Sequence, residues 1–183
     1  SFNISQKLYS NLSDLIWYDM PEAFNVDGLS FTLYDGFIAE MIVSYRLFAD
    51  TEQEYQNCFS AIEEAGDKLL YGIEGNNGLS DEYKALLIHD RLCVYTDYCY
   101  NDRDFSEYTA YGALVNRSAV CQGYTMAYMY LLRRVGIDNY YCASLQLDHA
   151  WNIVYINGIP YHVDVTGDDL HWGVGHGDVS GGV

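Results

Sequence analysis

Three side chains in this 183-residue chain are of the types and in the settings that thiol chemistry requires. Cys121 falls where the loop "NRSAV" gives way to the amphipathic run "CQGYTMAYMYLLRR". His149 opens "HAWNIVYI", and Asp164 follows "GIPYHV". A sulfur in the first turn of a helix meets unpaired N–H groups and the positive end of the helix dipole. Both favour the thiolate, so the expectation is a lowered thiol pKa. An imidazole held at one nitrogen by a carboxylate presents its other nitrogen to a third group. Cysteine, histidine and aspartate thus supply a nucleophile, a general base and acid, and an orienting group. Taken singly, each has a plainer reading: a buried small hydrophobe, a structural histidine, a surface acid.

The hairpin decides whether the histidine and the aspartate meet. In "WNIVYINGIPYHVDV", Asn157-Gly158 between two alternating runs favours a two-residue type I′ turn, whose central positions both need φ > 0. Ile156 then sits opposite Ile159, and pairing at a constant sum places Trp151 opposite Asp164 and His149 opposite Thr166. All four side chains share one face, with His149 and Asp164 as diagonal neighbours. A one-residue slip would part them. Trp151 is expected to wall the imidazole off from water, and His162 shares the face in a structural role.

The remaining elements must carry the cysteine to that hairpin. "LSDLIWYDMPEAF" reads as a short helix broken at Pro21, and 29–48 as two extended runs around an Asp35-Gly36 turn. Thr51 with Glu54 makes a capping box for a helix running to about Tyr71. Ser80 caps a second helix through "DEYKALLIHDRLCVY", on which His89 reads as structural, with Asp90 pointing elsewhere. The polar, aromatic stretch 96–116 reads as a long surface segment over the site, and the overlapping tyrosine-rich run 95–111 either lines a substrate groove or covers the core. A third helix covers Cys121 to Arg134, stopped by Gly136, with Met126, Met129, Tyr130 and Leu132 facing inward. Helices first and antiparallel strands afterwards make an α+β domain. The length suits a single domain, with 1–78 as an N-terminal subregion, 79–170 as the core and 171–183 as a tail, possible truncation included.

Composition narrows the partners. Twenty-six acids against nine bases give a formal charge of −17, which argues against binding a phosphate backbone. No stretch has the length and apolarity of a membrane span. Five cysteines, odd in number and without CxxC spacing, do not read as a disulfide framework or a zinc site. His171 and His176 lie among glycines and carry no metal signal, and the acids around Asp168 lack calcium-loop spacing. No metal and no cofactor are expected.

The text "AYGALVNRSAVCQGYTMAYMYLLRRVGI", followed by "DHAWNIVYINGIPYHVDVTGDD", resembles the transglutaminase-like superfamily of papain-like thiol enzymes, in its bacterial branch. The likeness is dense over about 108–169, with a weaker echo in "LSDEYKALLIHDRLCVYTDY". It implies a papain-like core in which a nucleophile-bearing helix packs on an antiparallel sheet. It also implies Cys121 as nucleophile, His149 as base and acid, and Asp164 as orienting carboxylate. The backbone N–H of Cys121 would donate to the oxyanion, with Tyr111 and Asn116 as candidates for a second donor. Gly167 departs from the pattern, which usually has tryptophan there, and either opens the floor of the site or relaxes a turn.

The implied activity is cysteine-dependent acyl transfer on protein or peptide amides, cell-wall peptides among them, through a thioester. Its outcome is hydrolysis or crosslinking. A secreted or cell-surface bacterial setting goes with the resemblance and the acidic, lysine-poor composition. The alternative is a non-catalytic surface adhesion or wall-binding module on the same scaffold. An arylamine acetyltransferase-like enzyme would use the same three residues, but the chain shows no acyl-coenzyme signature.

Overall fold

A computed structural model of the chain describes residues 4–35, 37–45, 51–99 and 105–169. At its centre lies a helix, α4 (Cys121–Arg134), buried without interruption from Gly123 to Leu132. Thr125 is its one β-branched residue, so little side-chain entropy opposes helix formation. Its end is fixed by Gly136 at φ +79, with Ile137 N–H donating to Leu132 O at 3.0 Å and Gly136 N–H to Arg133 O at 3.1 Å. This paired closure satisfies carbonyls that would otherwise be orphaned, and it needs the left-handed conformation that glycine tolerates best.

Of the other α-helices, α1 (Ile4–Asp19) is longer than the sequence suggested, and Pro21 opens a separate 3-10 turn, Pro21–Ala23. α2 (Glu52–Leu69) begins at the expected capping box. Thr51 Oγ1 accepts from Glu54 N–H at 3.2 Å, and Thr51 N–H donates to the Glu54 carboxylate at 3.0 Å. α3 (Asp81–Tyr95) is capped by Ser80, whose hydroxyl accepts from Tyr83 N–H. Arg91 on α3 donates to Leu69 O at 2.6 Å and Tyr71 O at 2.9 Å, so it satisfies the carboxyl end of α2. Of these helices, α3 packs directly on α4 and in turn on α2, while α1 packs on the strands.

The strands fall into three groups. β1 (Val26–Tyr34) and β2 (Phe37–Tyr45) form the expected antiparallel hairpin, with Asp35 at φ +50 in the turn and Gly36 outside the described residues. β3 (Asp97–Tyr98) and β4 (Ser118–Ala119) make a short parallel pair. β5 (Asn139–Ser144), β6 (His149–Ile156) and β7 (Ile159–Val163) form an antiparallel sheet in that order. Along β6, Ala150, Asn152 and Val154 are buried in alternation. Asn152 Nδ2 donates to Thr125 O at 3.1 Å and so docks the sheet on α4.

Two expectations are corrected here. The stretch 96–116 is not a surface segment throughout: Thr96, Ser106, Thr109, Ala110, Gly112, Ala113 and Leu114 are buried. Small residues let it thread beneath the surface as a π-helical turn (Gly112–Asn116), and a Cβ on Gly112 would strike the Ser106 backbone. Residues 100–104 of that stretch lie outside the described residues, as do Leu170 and the tail with His171 and His176.

The second correction concerns the hairpin. Asn157 and Gly158 take φ +53 and +78, and Ile156 pairs with Ile159, as the turn chemistry requires. The ladder stops at Asn152 opposite Val163, however, and His149 pairs instead with Ser144 of β5. Thr166 is buried and lies beyond the end of the ladder, so it is not paired with His149. The chain turns at Asp164 because its carboxylate accepts from Gly167 N–H and its carbonyl from Asp168 N–H, which takes those groups out of any ladder.

Candidate active site

His149 begins β6 and Asp164 immediately follows β7, and the two are joined by a hydrogen bond of 2.8 Å between Nε2 and Oδ2. Asp164 is held twice, since its other oxygen accepts from Gly167 N–H at 3.0 Å. A carboxylate fixed in this way has no freedom to swing away from the ring. Trp151 lies against His149 with its ring nearly parallel, centroids 5.9 Å apart, and donates from Nε1 to His162 Nδ1 at 2.7 Å. His162 thus fixes the tryptophan that packs on His149.

Cys121 stands at the first position of α4, with Val120 before it in extended conformation. Its sulfur accepts hydrogen bonds from the backbone N–H groups of Gln122 and Ala150. The Ala150 contact bears most on the site, because Ala150 is the neighbour of His149 on β6. It brings the thiol to the start of the strand that carries the imidazole. The expected lowering of the thiol pKa is overturned: burial pushes it up, the two N–H groups pull it down, and the carboxylates of Asp148 and Asp164 add to the rise. Desolvation outweighs the favourable dipoles because the sulfur is half withdrawn from water. The Cys93 thiol is pushed up to about 12, chiefly by burial.

The candidates for a second oxyanion donor are engaged elsewhere. Tyr111 bonds the Cys58 thiol and stacks on Phe24 with centroids 5.5 Å apart, while Asn116 Nδ2 donates to Ser106 Oγ at 3.1 Å. His89 is also corrected, for its Nδ1 does meet Asp90 Oδ1, at 2.9 Å, and its Nε2 lies 3.4 Å from Asp168 Oδ2. The short aspartate side chain folds back beside the ring despite the helical turn between successive residues. A Cβ on Gly167 would stand 2.7 Å from Asp164 Oδ2, the oxygen that holds His149. Among the described residues no group of three His, Cys, Asp or Glu side chains is placed to hold a metal ion. No helix among them is long and apolar enough to cross a membrane.

Sequence reasoning missed the Ala150 N–H, which only the docking of β6 on α4 reveals. It also missed Tyr124 and Asp169, whose side chains meet at 2.7 Å in the core. The signal for that pair was a tyrosine three residues after the cysteine on a helix with no wet face.

A cysteine opening a buried helix, packed on an antiparallel sheet whose hairpin carries a histidine bonded to an aspartate, defines the papain-like class of α+β fold. The chain belongs to the transglutaminase-like superfamily, whose family model matches residues 72–172. A crystal structure of a TGase superposes with a TM-score of 0.51 at 14% identity, over 78% of this chain and 44% of that one. A candidate cysteine protease from Cytophaga hutchinsonii superposes with a TM-score of 0.42 at 20% identity, over 59% of this chain and 37% of its own. The chain therefore spans less than half the length of either solved protein. No curated protein sequence matches it.

Proposed function

We propose that this protein is a cysteine-dependent acyl-transfer enzyme acting on protein or peptide amides, with Cys121 as nucleophile, His149 as general base and acid, and Asp164 as orienting carboxylate. The observation that carries the reading is the 2.8 Å His149–Asp164 hydrogen bond beside a thiol bonded to the Ala150 N–H. Membership of a superfamily of thiol enzymes supports it.

The raised thiol shapes the mechanism. Cys121 waits as a neutral thiol, and His149, bonded to Asp164 through Nε2, takes its proton through Nδ1 as the sulfur attacks the amide carbonyl. The C–N bond breaks as the imidazolium returns that proton to the departing ammonia or amine, leaving a thioester. Water or an incoming amine, deprotonated by His149, then releases the acyl group and regenerates the thiol. The first turn of α4, whose leading N–H groups have no partner within the helix, is the place for the oxyanion. Proteolysis, deamidation and crosslinking share the first half of this cycle. Ammonia release with or without amine incorporation into a glutamine peptide separates them. An acidic, lysine-poor chain accords with work outside the cell, on secreted or surface substrates.

Cys121→Ala is expected to abolish both turnover of amide substrates and active-site labelling by iodoacetamide, with the fold retained by circular dichroism. Amide turnover that persists in this variant overturns the assignment. The observation favouring the alternative, a non-catalytic binding module, is the raised thiol itself. That alternative requires Cys121 to react no faster than the other four thiols, of which Cys93 is buried and the rest are half-buried.

A further inference from the structure

Asp164 lies outside the sheet ladder, so something other than strand pairing must hold it in place. It sits at the head of a turn, 164–169, which side chains of α3 and α4 grip. Cys93 Sγ donates to Val165 O at 3.4 Å, and His89 Nε2 lies 3.4 Å from the exposed Asp168 carboxylate. The tightest and most buried of the grips is Tyr124. Its hydroxyl stands 2.7 Å from Asp169 Oδ2 and 2.7 Å from Thr96 O, with Tyr124 at 0% exposure and Asp169 at 4%. A hydrogen bond to a carboxylate in such a setting is short, strong and costly to break.

Tyr124 is also three residues beyond Cys121, one turn along the same helix. One end of this turn of α4 therefore carries the thiol and the other end holds the segment that carries Asp164. We infer that Tyr124 is a positioning residue: through Asp169 it fixes the 164–169 turn to the nucleophile's own helix, and so sets where Asp164 holds His149. The inference builds on the triad reading for its catalytic meaning, but its structural content stands apart from whether the enzyme turns over.

A second buried tyrosine supplies the control. Tyr128, 1% exposed, donates to Ala85 O at 3.0 Å, a comparable bond from the same helix that leads to α3 rather than to the turn. The experiment follows the ring N–H proton of His149 by NMR in the full chain, assigned by its loss in Asp164→Ala. In Tyr124→Phe its exchange with water is expected to quicken roughly tenfold or more, while Tyr128→Phe leaves it as in the wild type. Asp169→Asn with Tyr124 in place, which keeps an acceptor for the phenol, is expected to retain most of the wild-type protection.

Wild-type exchange in Tyr124→Phe overturns the inference, as does an equal loss in Tyr128→Phe. Should Tyr124→Phe not fold, Asp169→Ala breaks the same bond from the other side and carries the same expectation. Amide turnover is measured on the same samples. A wild type that protects His149 yet turns nothing over counts against the catalytic reading and leaves the positioning intact.

Discussion

Two predictions belong to single residues. Burial and the two nearby carboxylates hold the Cys121 thiol above its ordinary value. The charged, reactive form therefore grows with rising pH and is scarce at neutrality. Alkylation of Cys121 by iodoacetamide, followed by mass spectrometry from pH 6 to 10, is expected to climb throughout. A plateau already reached below pH 7 would instead mean a preformed thiolate–imidazolium pair. Gly167 makes the second case. Because a methyl there would meet Asp164 Oδ2 at 2.7 Å, Gly167→Ala is expected to push the carboxylate off His149 and reduce kcat by about tenfold, with the fold intact. Unchanged kcat would show that the turn absorbs the methyl without cost.

At the scale of elements, the hairpin of β6 and β7 is the part most exposed to a sequence change. Asn157 holds φ +53, which a β-branched residue resists. Asn157→Val is expected to cost about 1–2 kcal/mol of stability, read as a lower denaturant midpoint at unchanged slope. This is also the scale at which the sequence was most legible. Thr51, Ser80, Gly136 and Asn157-Gly158 each act through local backbone chemistry, so caps, stops and register could be read from a few neighbouring residues. The 164–169 turn was not legible, because the Asp164 carboxylate bonding Gly167 N–H competes with the ladder, and alternation alone gives no sign of it. The burial of 105–114 escaped for a related reason. Its small residues serve close backbone approach, which has no hydrophobic period. The thiol's raised pKa escaped too, since desolvation depends on what packs around a helix end and not on the helix.

At the scale of the whole molecule, charge is the dominant feature. Several of the few bases are already engaged: Lys68 with Glu64 at 2.9 Å, Lys84 with Asp81 at 3.2 Å, and Arg134 with Asp67 at 2.7 Å and Glu74 at 2.6 Å. The surplus of 17 negative charges is left to repel itself across the surface. Sodium chloride should screen that repulsion, since the Debye length falls from about 30 Å at 0.01 M to about 8 Å at 0.15 M. Tm is therefore expected to rise by several degrees over this range, measured by scanning calorimetry. A flat or falling Tm would mean that attractive pairs outweigh the surplus.

His149 and Asp164 are fifteen residues apart on one hairpin, while their sulfur partner arrives from a helix in another layer. Local loops close faster than distant layers dock. A half-folded chain can thus pair the imidazole with its acid while the sulfur, though already synthesised, is still undocked, and under the proposed reading the site is complete only when the last tertiary contact is made.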